Sequence, residues 1–323
     1  MSRFTFALLI LSTCFYQGFG QNFPHFSQFP FQGMLYNPAA TGSNDAIEID
    51  ALYRSQWSGI QGQPKTLAIA AQSPINRFQS NLGLFFMHDR LGAEKNNYIQ
   101  FAYAWRTPLK FANLAFGLSG GIVQKQIDGR ELRAPEGEYR EIFTHNDDYI
   151  PENFVSSISG DVNVGVYLNN EKWYAGVAVN NLLGSAHSFT DRGHDINIRS
   201  SRYLAVHGGY LIKISKNFDL QPNVLVLSDF NNYQGLYNLT VYFKQKLWLG
   251  MAFRGTSVNT KESIIPFLGF KVAKQLKLGY SYDAGISEIR NVNGGSHEIF
   301  VKYLIDIRKF MQSGKIIYNP RFM

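Results

Sequence analysis

Apolar and polar residues alternate with a period of two along most of the chain. The alternation predicts about fourteen strand-like segments and no long helix. In order they cover 46–56, 66–73, 81–89, 97–107, 113–126, 156–168, 172–182, 202–215, 218–229, 234–244, 246–254, 263–272, 275–284 and 296–307. In the last, Ile299, Val301, Tyr303, Ile305 and Ile307 share one face, and Glu298, Lys302 and Asp306 share the other. In the first, Ile47, Ile49, Ala51 and Tyr53 oppose Glu48, Asp50, Arg54 and Gln56. Val162, Val164, Val166 and Leu168 form an apolar face in the sixth segment, and Leu276, Leu278, Tyr280 and Tyr282 in the thirteenth.

The connections carry a second pattern. After even-numbered segments they are mostly tight, as at Asn169-Asn170-Glu171, Ser215-Lys216-Asn217, Gln245 and Ala273-Lys274. After odd-numbered segments they are longer: 57–65, 90–96, 127–155, 183–201, 255–262 and 285–295. A sandwich has no reason to sort its loops by length. A barrel in an outer membrane does, with tight turns inside and long loops outside. The expected fold is therefore all-β: a transmembrane antiparallel up-and-down β-barrel over 46–307. An even strand count puts both termini on the periplasmic side. Strands near ten residues suit a tilted crossing.

Composition fits that wall. Aromatic residues make up 15% of the chain and charged residues 17%, below the ~25% usual in soluble domains. A lumen-facing side need not be apolar, and aromatics belong at the membrane interfaces. Phe101, Tyr103, Trp105, Trp173, Tyr174, Tyr242, Phe243 and Trp248 fall at or near segment ends and are expected in those girdles. Residues 1–20 read as a signal peptide, with Arg3, an apolar run Phe4 to Leu11, and Gly18-Phe19-Gly20 before the cut. The single cysteine, Cys14, would leave with it, so no disulfide framework or cysteine metal site is expected. Residues 21–45 are irregular and are expected to enter or cap the lumen from the periplasm or to meet a partner there. Residues 308–323 are expected as a periplasmic tail.

The net charge of +7 contains no basic cluster and no nucleic-acid motif. It divides instead into two sides. The tight turns carry Arg77, Lys110, Lys172, Lys216, Lys244, Lys246 and Lys274, facing lipid head groups or a periplasmic partner. The stretch 127–155 carries Asp128, Glu131, Glu136, Glu138, Glu141, Asp147, Asp148 and Glu152 against three arginines.

Catalytic chemistry finds little support. Gly117-Leu118-Ser119-Gly120-Gly121 fits a nucleophile-elbow pattern, but alternation continues through it, whereas the elbow needs a strand, a turn and a helix. The seven histidines are scattered without metal-ligand spacing. No catalytic residue, metal or cofactor is expected.

Three N-terminal runs, Pro24-His25-Phe26-Ser27-Gln28-Phe29, Leu35-Tyr36-Asn37-Pro38-Ala39 and Thr41-Gly42-Ser43, precede Tyr53-Arg54-Ser55-Gln56-Trp57 and Pro64-Lys65-Thr66. Near the other end come Leu278-Gly279-Tyr280-Ser281-Tyr282-Asp283, Ile286-Ser287, Gly295-Ser296-His297-Glu298-Ile299 and Asn319-Pro320-Arg321-Phe322. In these elements and their order the chain resembles the PorP/SprF family of Bacteroidetes outer-membrane proteins. The resemblance implies a barrel of the type IX secretion system. Its partners would be a secreted surface protein with a C-terminal sorting domain, such as an adhesin, and periplasmic secretion components. The roles implied are secretion, gliding or surface attachment. A porin or transport channel is the alternative. His25, Phe26, Ser27, Gln28, Asn37, Pro38, Trp57, Gly295, Ser296 and His297 are the motif residues expected to meet a partner. By parity Arg54, Gln56, Glu298 and Lys302 face the lumen, where the first and last strands would share a polar network.

Overall fold

The computed structural model describes residues 24–44, 46–75, 79–140, 143–257 and 260–306. The expected signal peptide, the tail 308–323, the motif 319–322, Arg77 and Glu141 lie outside them. No helix among the described residues is long and apolar enough to cross a membrane. The wall is made of strands. They are β1 (Ile47–Ser55), β2 (Lys65–Ile75), β3 (Ser80–Leu91), β4 (Glu94–Pro108), β5 (Asn113–Asp128), β6 (Phe154–Asn169) and β7 (Trp173–Asn180). A small hairpin follows, β8 (Ala186–Asp191) and β9 (His194–Arg199). The wall resumes with β10 (Tyr203–Tyr210), β11 (Ile212–Lys213), β12 (Phe218–Ser228), β13 (Tyr233–Phe243) and β14 (Leu247–Ser257). It ends with β15 (Thr260–Lys271), β16 (Leu276–Gly285) and β17 (Ser296–Ile305).

Because β10 and β11 are one strand interrupted at Leu211, the wall has fourteen strands, each antiparallel to its neighbours. It closes where β1 meets β17, with Ile47 opposite Ile305 and Arg54 opposite Glu298. Closure leaves no unpaired edge, which a sheet in lipid requires because hydrocarbon cannot satisfy backbone groups. An even count puts both ends of the wall on one rim.

Alternation sets which side chains point in. Along β1, Glu48, Asp50, Leu52 and Arg54 are buried inside, while Ile49 and Tyr53 are exposed on the outer wall. Along β17, Glu298, Phe300 and Lys302 point in, and Ile299 and Tyr303 point out. Leu84, Ile99, Phe101, Leu118, Ile122, Leu249 and Met251 continue the apolar exterior around the wall. In water such a surface would associate; against lipid it is matched.

Three expectations need correction. Connections 90–96 and 255–262 are not long loops. β3 and β4 run on to a two-residue turn at Gly92 and Ala93, with Gly92 at φ 56°, and only 258–259 separate β14 from β15. Segregation by length therefore holds on one rim only. Its connections, 76–79, 109–112, 170–172, 214–217, 244–246 and 272–275, are all short, whereas the opposite rim ranges from that turn to 129–153. The expected loop 183–201 contains the hairpin β8–β9. Finally, Tyr174, Tyr242 and Trp248 are not girdle residues. They share parity with Asn180, Thr240 and Arg254 and are buried in the interior. Phe101, Tyr103, Trp105 and Phe243 do lie on the exterior.

Candidate functional site: a plugged lumen

The interior is occupied by the chain's own residues 24–44. This stretch has no strand period. It folds into three single turns, 3-10 at Phe29–Phe31, α at Gly33–Tyr36 and 3-10 at Pro38–Ala40. Phe26, Phe29, Phe31, Leu35 and Tyr36 are buried with inward residues of the wall, among them Leu52, Phe85, Leu236, Trp248, Phe267 and Phe300. Phe31 stacks on Phe300 at 4.9 Å between centroids and lies 5.3 Å from Trp248. Burial of these rings, at about 25 cal/mol per Å² of apolar surface, holds the segment in place. It also explains why aromatic residues of the wall turn inward.

A buried ionic cluster fixes the start of the plug. Arg54 of β1 contacts Asp283 of β16 at 2.6 Å and Glu298 of β17 at 3.2 Å. Arg254 of β14 reaches the same Asp283 oxygen at 2.8 Å. Two guanidinium groups thus face two carboxylates, so the formal charges balance. Ser27 sits at their centre. Its hydroxyl donates to Asp283 at 2.6 Å and accepts from Arg54 at 2.8 Å and Arg254 at 2.9 Å. Glu298 accepts the backbone N–H groups of Ser27 at 2.7 Å and Gln28 at 2.8 Å. The carboxylate thereby satisfies amides that no secondary structure serves, at a place where an orphaned amide is costly.

A second cluster lies two turns of pleat away. Lys302 bonds Glu48 and Asp50, each at 3.0 Å. Gln72 donates to Glu48 at 2.8 Å and accepts the backbone N–H of Gly42 at 2.8 Å, which ties down the end of the plug. Lys277 is buried on the same inner face.

The middle of the plug rests on the opposite wall. Asn37 donates to the Val166 carbonyl at 3.0 Å, its amide lies 3.2 Å from Nε2 of His207, and its Oδ1 caps the next turn through the Ala39 N–H at 2.9 Å. Asn180 donates to the Tyr36 carbonyl at 3.1 Å. This approach needs wall positions without side chains. A Cβ at Gly117 would stand 2.0 Å from the Ala39 nitrogen, and one at Gly165 would stand 2.1 Å from Oδ1 of Asn37. Gly117 opens the Gly-x-Ser-x-Gly pattern, so the plug accounts for that glycine. Ser119 lies mid-strand in β5, where its hydroxyl donates to Gln100 at 3.3 Å and accepts from Asn163 at 2.9 Å.

Of the sequence-selected polar residues, Arg54 and Glu298 meet. Lys302 joins the neighbouring cluster, and Gln56 joins neither, because β1 ends at Ser55 and the Gln56 backbone bonds the Pro64 carbonyl. Among the motif residues, Phe26, Ser27, Gln28, Asn37 and Pro38 are buried in the plug, and Pro24 and His25 are half-buried at its start. Trp57 is elsewhere, with φ 52° just past β1, where its N–H donates to the Ser296 hydroxyl at 3.1 Å. Gly295, at φ 81°, accepts the Ser58 N–H at 2.8 Å, so 295–296 and 57–58 join two loops at the seam. His297 faces outward, 2.7 Å from the Tyr280 hydroxyl. Arg254 and Asp283 complete the network. Their inward parity is visible in the sequence, but their convergence across the lumen is not.

On the opposite rim the loop 129–153 docks on the hairpin. Asp191 accepts from the Glu152 N–H at 2.8 Å and from Asn153 at 3.0 Å, and Arg192 pairs with Glu152 at 3.0 Å. Hydrogen bonds from Thr144 and the His145 N–H, with Arg192 nearby, hold Glu152 below the usual carboxylate range. Burial pulls Asp191 upward, but its hydrogen bonds from Asn153 and the Glu152 N–H outweigh that and leave it lowered. Among the described residues no group of three or more His, Cys, Asp or Glu is placed to hold a metal.

The family model described as "Type IX secretion system membrane protein PorP/SprF" matches residues 18–303. A comparison with curated proteins gives no significant match. Among solved structures, the toluene transporter TbuX of Ralstonia pickettii is similar with TM-score 0.49 and 9% identity, covering 84% of this chain and 92% of that one. The Pseudomonas putida toluene transporter TodX gives 0.49 and 7%, covering 85% and 93%. The Acinetobacter baumannii outer membrane protein Omp33 gives 0.46 and 8%, covering 82% and 100%.

Proposed function

The chain belongs to the PorP/SprF family of type IX secretion system membrane proteins and forms an outer-membrane β-barrel, and from that premise we propose that it is a non-enzymatic accessory which assists export or surface attachment of a partner. The partner is an adhesin-like secreted protein with a C-terminal sorting domain. The observation that carries this reading is the filled lumen. A conduit needs a passage, and here residues 24–44 cross the interior and are tied to both sides of it. Such a barrel serves as a rigid holder whose rims do the work. In this reading the tight-turn rim, with both termini, faces the periplasm and its secretion components, and the rim bearing 129–153 and β8–β9 faces the partner outside. Pro24 and His25, at the plug's start, and the joined loops around Trp57 and Ser296 are the points of engagement.

Affinity purification from mildly solubilised outer membranes tests this. A large surface protein or periplasmic secretion components should copurify. Repeated recovery of the barrel alone, together with steady single-channel conductance in planar bilayers, would favour the transport reading instead.

A further inference from the structure

On β3, β4 and β5 the apolar exterior gives way to polar side chains. On adjacent strands Phe86, Ile99 and Ile122 face lipid, and the next residue in register beyond Ile122 on β6 is Gly160. One step further out, a chain of polar side chains runs along the wall: His88 to Asn97 at 2.7 Å, Asn97 to Gln124 at 3.2 Å, and Gln124 to Ser156 at 3.2 Å. Apolar side chains giving way to polar ones on the outer wall are what the edge of the hydrocarbon layer calls for.

β7 stops at Asn180, and the wall has a notch there, beside Gly160 of β6. Asn181, at φ 54°, ends the strand and shapes the notch from within. Its Oδ1 accepts from Ser185, and its amide donates to the carbonyls of Ser200 at 2.8 Å and Ser201 at 3.1 Å. The result is an open groove of about 690 Å³ between β6, the ends of the β8–β9 hairpin and the turn after β12. Arg199 and Arg202 line it, both exposed. Among the described residues neither has a carboxylate within salt-bridge distance. Arg202 spends only Nε, on the Leu182 carbonyl at 2.9 Å. The one acid of the groove, Asp229, is turned to its own loop, where it accepts the N–H groups of Asn231 and Asn232. Beside the arginines Leu183 and Phe230 present exposed apolar side chains, and Leu183 lies over Gly160 on the outer wall.

The geometry points to a binding site for a phosphorylated membrane lipid, with the head-group phosphate on Arg199 and Arg202 and an acyl chain against Leu183 and Phe230. Planar guanidinium groups suit phosphate in two-point contacts, and unpaired cations at the head-group level are drawn to anionic lipid. The site joins the outer wall to the ends of the β8–β9 hairpin, so none of its lining belongs to the plug.

The test uses the full chain, delipidated in a nonionic detergent, and titrates dioctanoyl phosphatidic acid against the intrinsic fluorescence or by native mass spectrometry. Arg199→Gln with Arg202→Gln should weaken binding by roughly tenfold or more. Lys244→Gln with Lys246→Gln, on the other rim, should leave it unchanged. Dioctanoyl phosphatidylcholine and inorganic phosphate should each bind at least about tenfold more weakly than phosphatidic acid. Equal loss in both double variants, or none in the arginine pair, overturns the proposal. So does inorganic phosphate binding as tightly as the lipid, which would make this a free-phosphate site. If the double variant fails to fold, Arg199→Gln alone carries the test, since its side chain makes no bond that shapes the notch.

Discussion

Replacing Arg54 with Met is the most direct probe of the plug's anchor. It removes one of two cations from a cluster that contains two carboxylates, so Asp283 and Glu298 are left with Arg254 alone. Truncating one partner of a buried pair costs about 3–5 kcal/mol, chiefly by stranding the other charge. Asp283 keeps Arg254 at 2.8 Å, and Glu298 keeps two backbone donors. The loss should therefore fall near the bottom of that range, about 3 kcal/mol. For a chain of this size each kcal/mol moves the midpoint by about 2–4 °C, so a fall of about 6–12 °C is expected. Barrels unfold irreversibly, so the readout is the heating midpoint of the folded band in a gel-shift series at one heating rate. Arg54→Met combined with Glu298→Gln restores neutrality, and the pair should lose less than the sum of the single changes. A single-variant midpoint within about 1 °C of wild type would refute the reasoning, because it would mean the cluster is not desolvated.

Gly117→Val places a Cβ on the Ala39 nitrogen. It should displace the plug's middle while the wall still forms, read as conductance in planar bilayers that the parent lacks. Lowered carboxylates make the docking of 129–153 depend on pH. Their charged forms stabilise the docked loop above the ordinary carboxylate value, and that contribution is lost as pH falls through the lowered values of Glu152 and Asp191. A spin label at Tyr149→Cys should report a rigid loop at neutral pH and a loosened one in acid, and unchanged mobility would count against the docking. Ser119→Ala removes two hydrogen bonds inside the lumen, and a loss of about 1–2 kcal/mol is expected in the heating midpoint. Esterase turnover abolished by the same substitution would contradict the structural role given to it.

The wall was legible because its rule is local. A residue's parity follows from its neighbours, and a strand between lipid and lumen cannot shift by one without exposing charge to hydrocarbon. Lengths of loops were less legible, since Leu91 and Glu94 continue their strands past the apolar band and polar sequence there reads as loop. Tyr174, Tyr242 and Trp248 misled for a different reason. An aromatic near a strand end looks like a girdle residue, and only parity distinguishes one that packs on a plug. The path of residues 24–44 carried no periodic signal at all, because turns stabilised by a surrounding wall need none of their own. Arg254 and Asp283 come together only through closure of the ring, a relation between distant strands that spacing cannot reveal.

Closure has a consequence for the order of assembly. The anchor of the plug draws Ser27 and Arg54 from the first residues of the barrel and Arg254, Asp283 and Glu298 from its last strands; Ser27 and Glu298 are 271 positions apart. A chain still waiting for β16 and β17 holds Arg54 with neither of its carboxylates. Sealing the seam and seating the plug are therefore a single late event. A barrel that stalls before its final strand is marked by its own unspent charge, and cannot pass for a finished one.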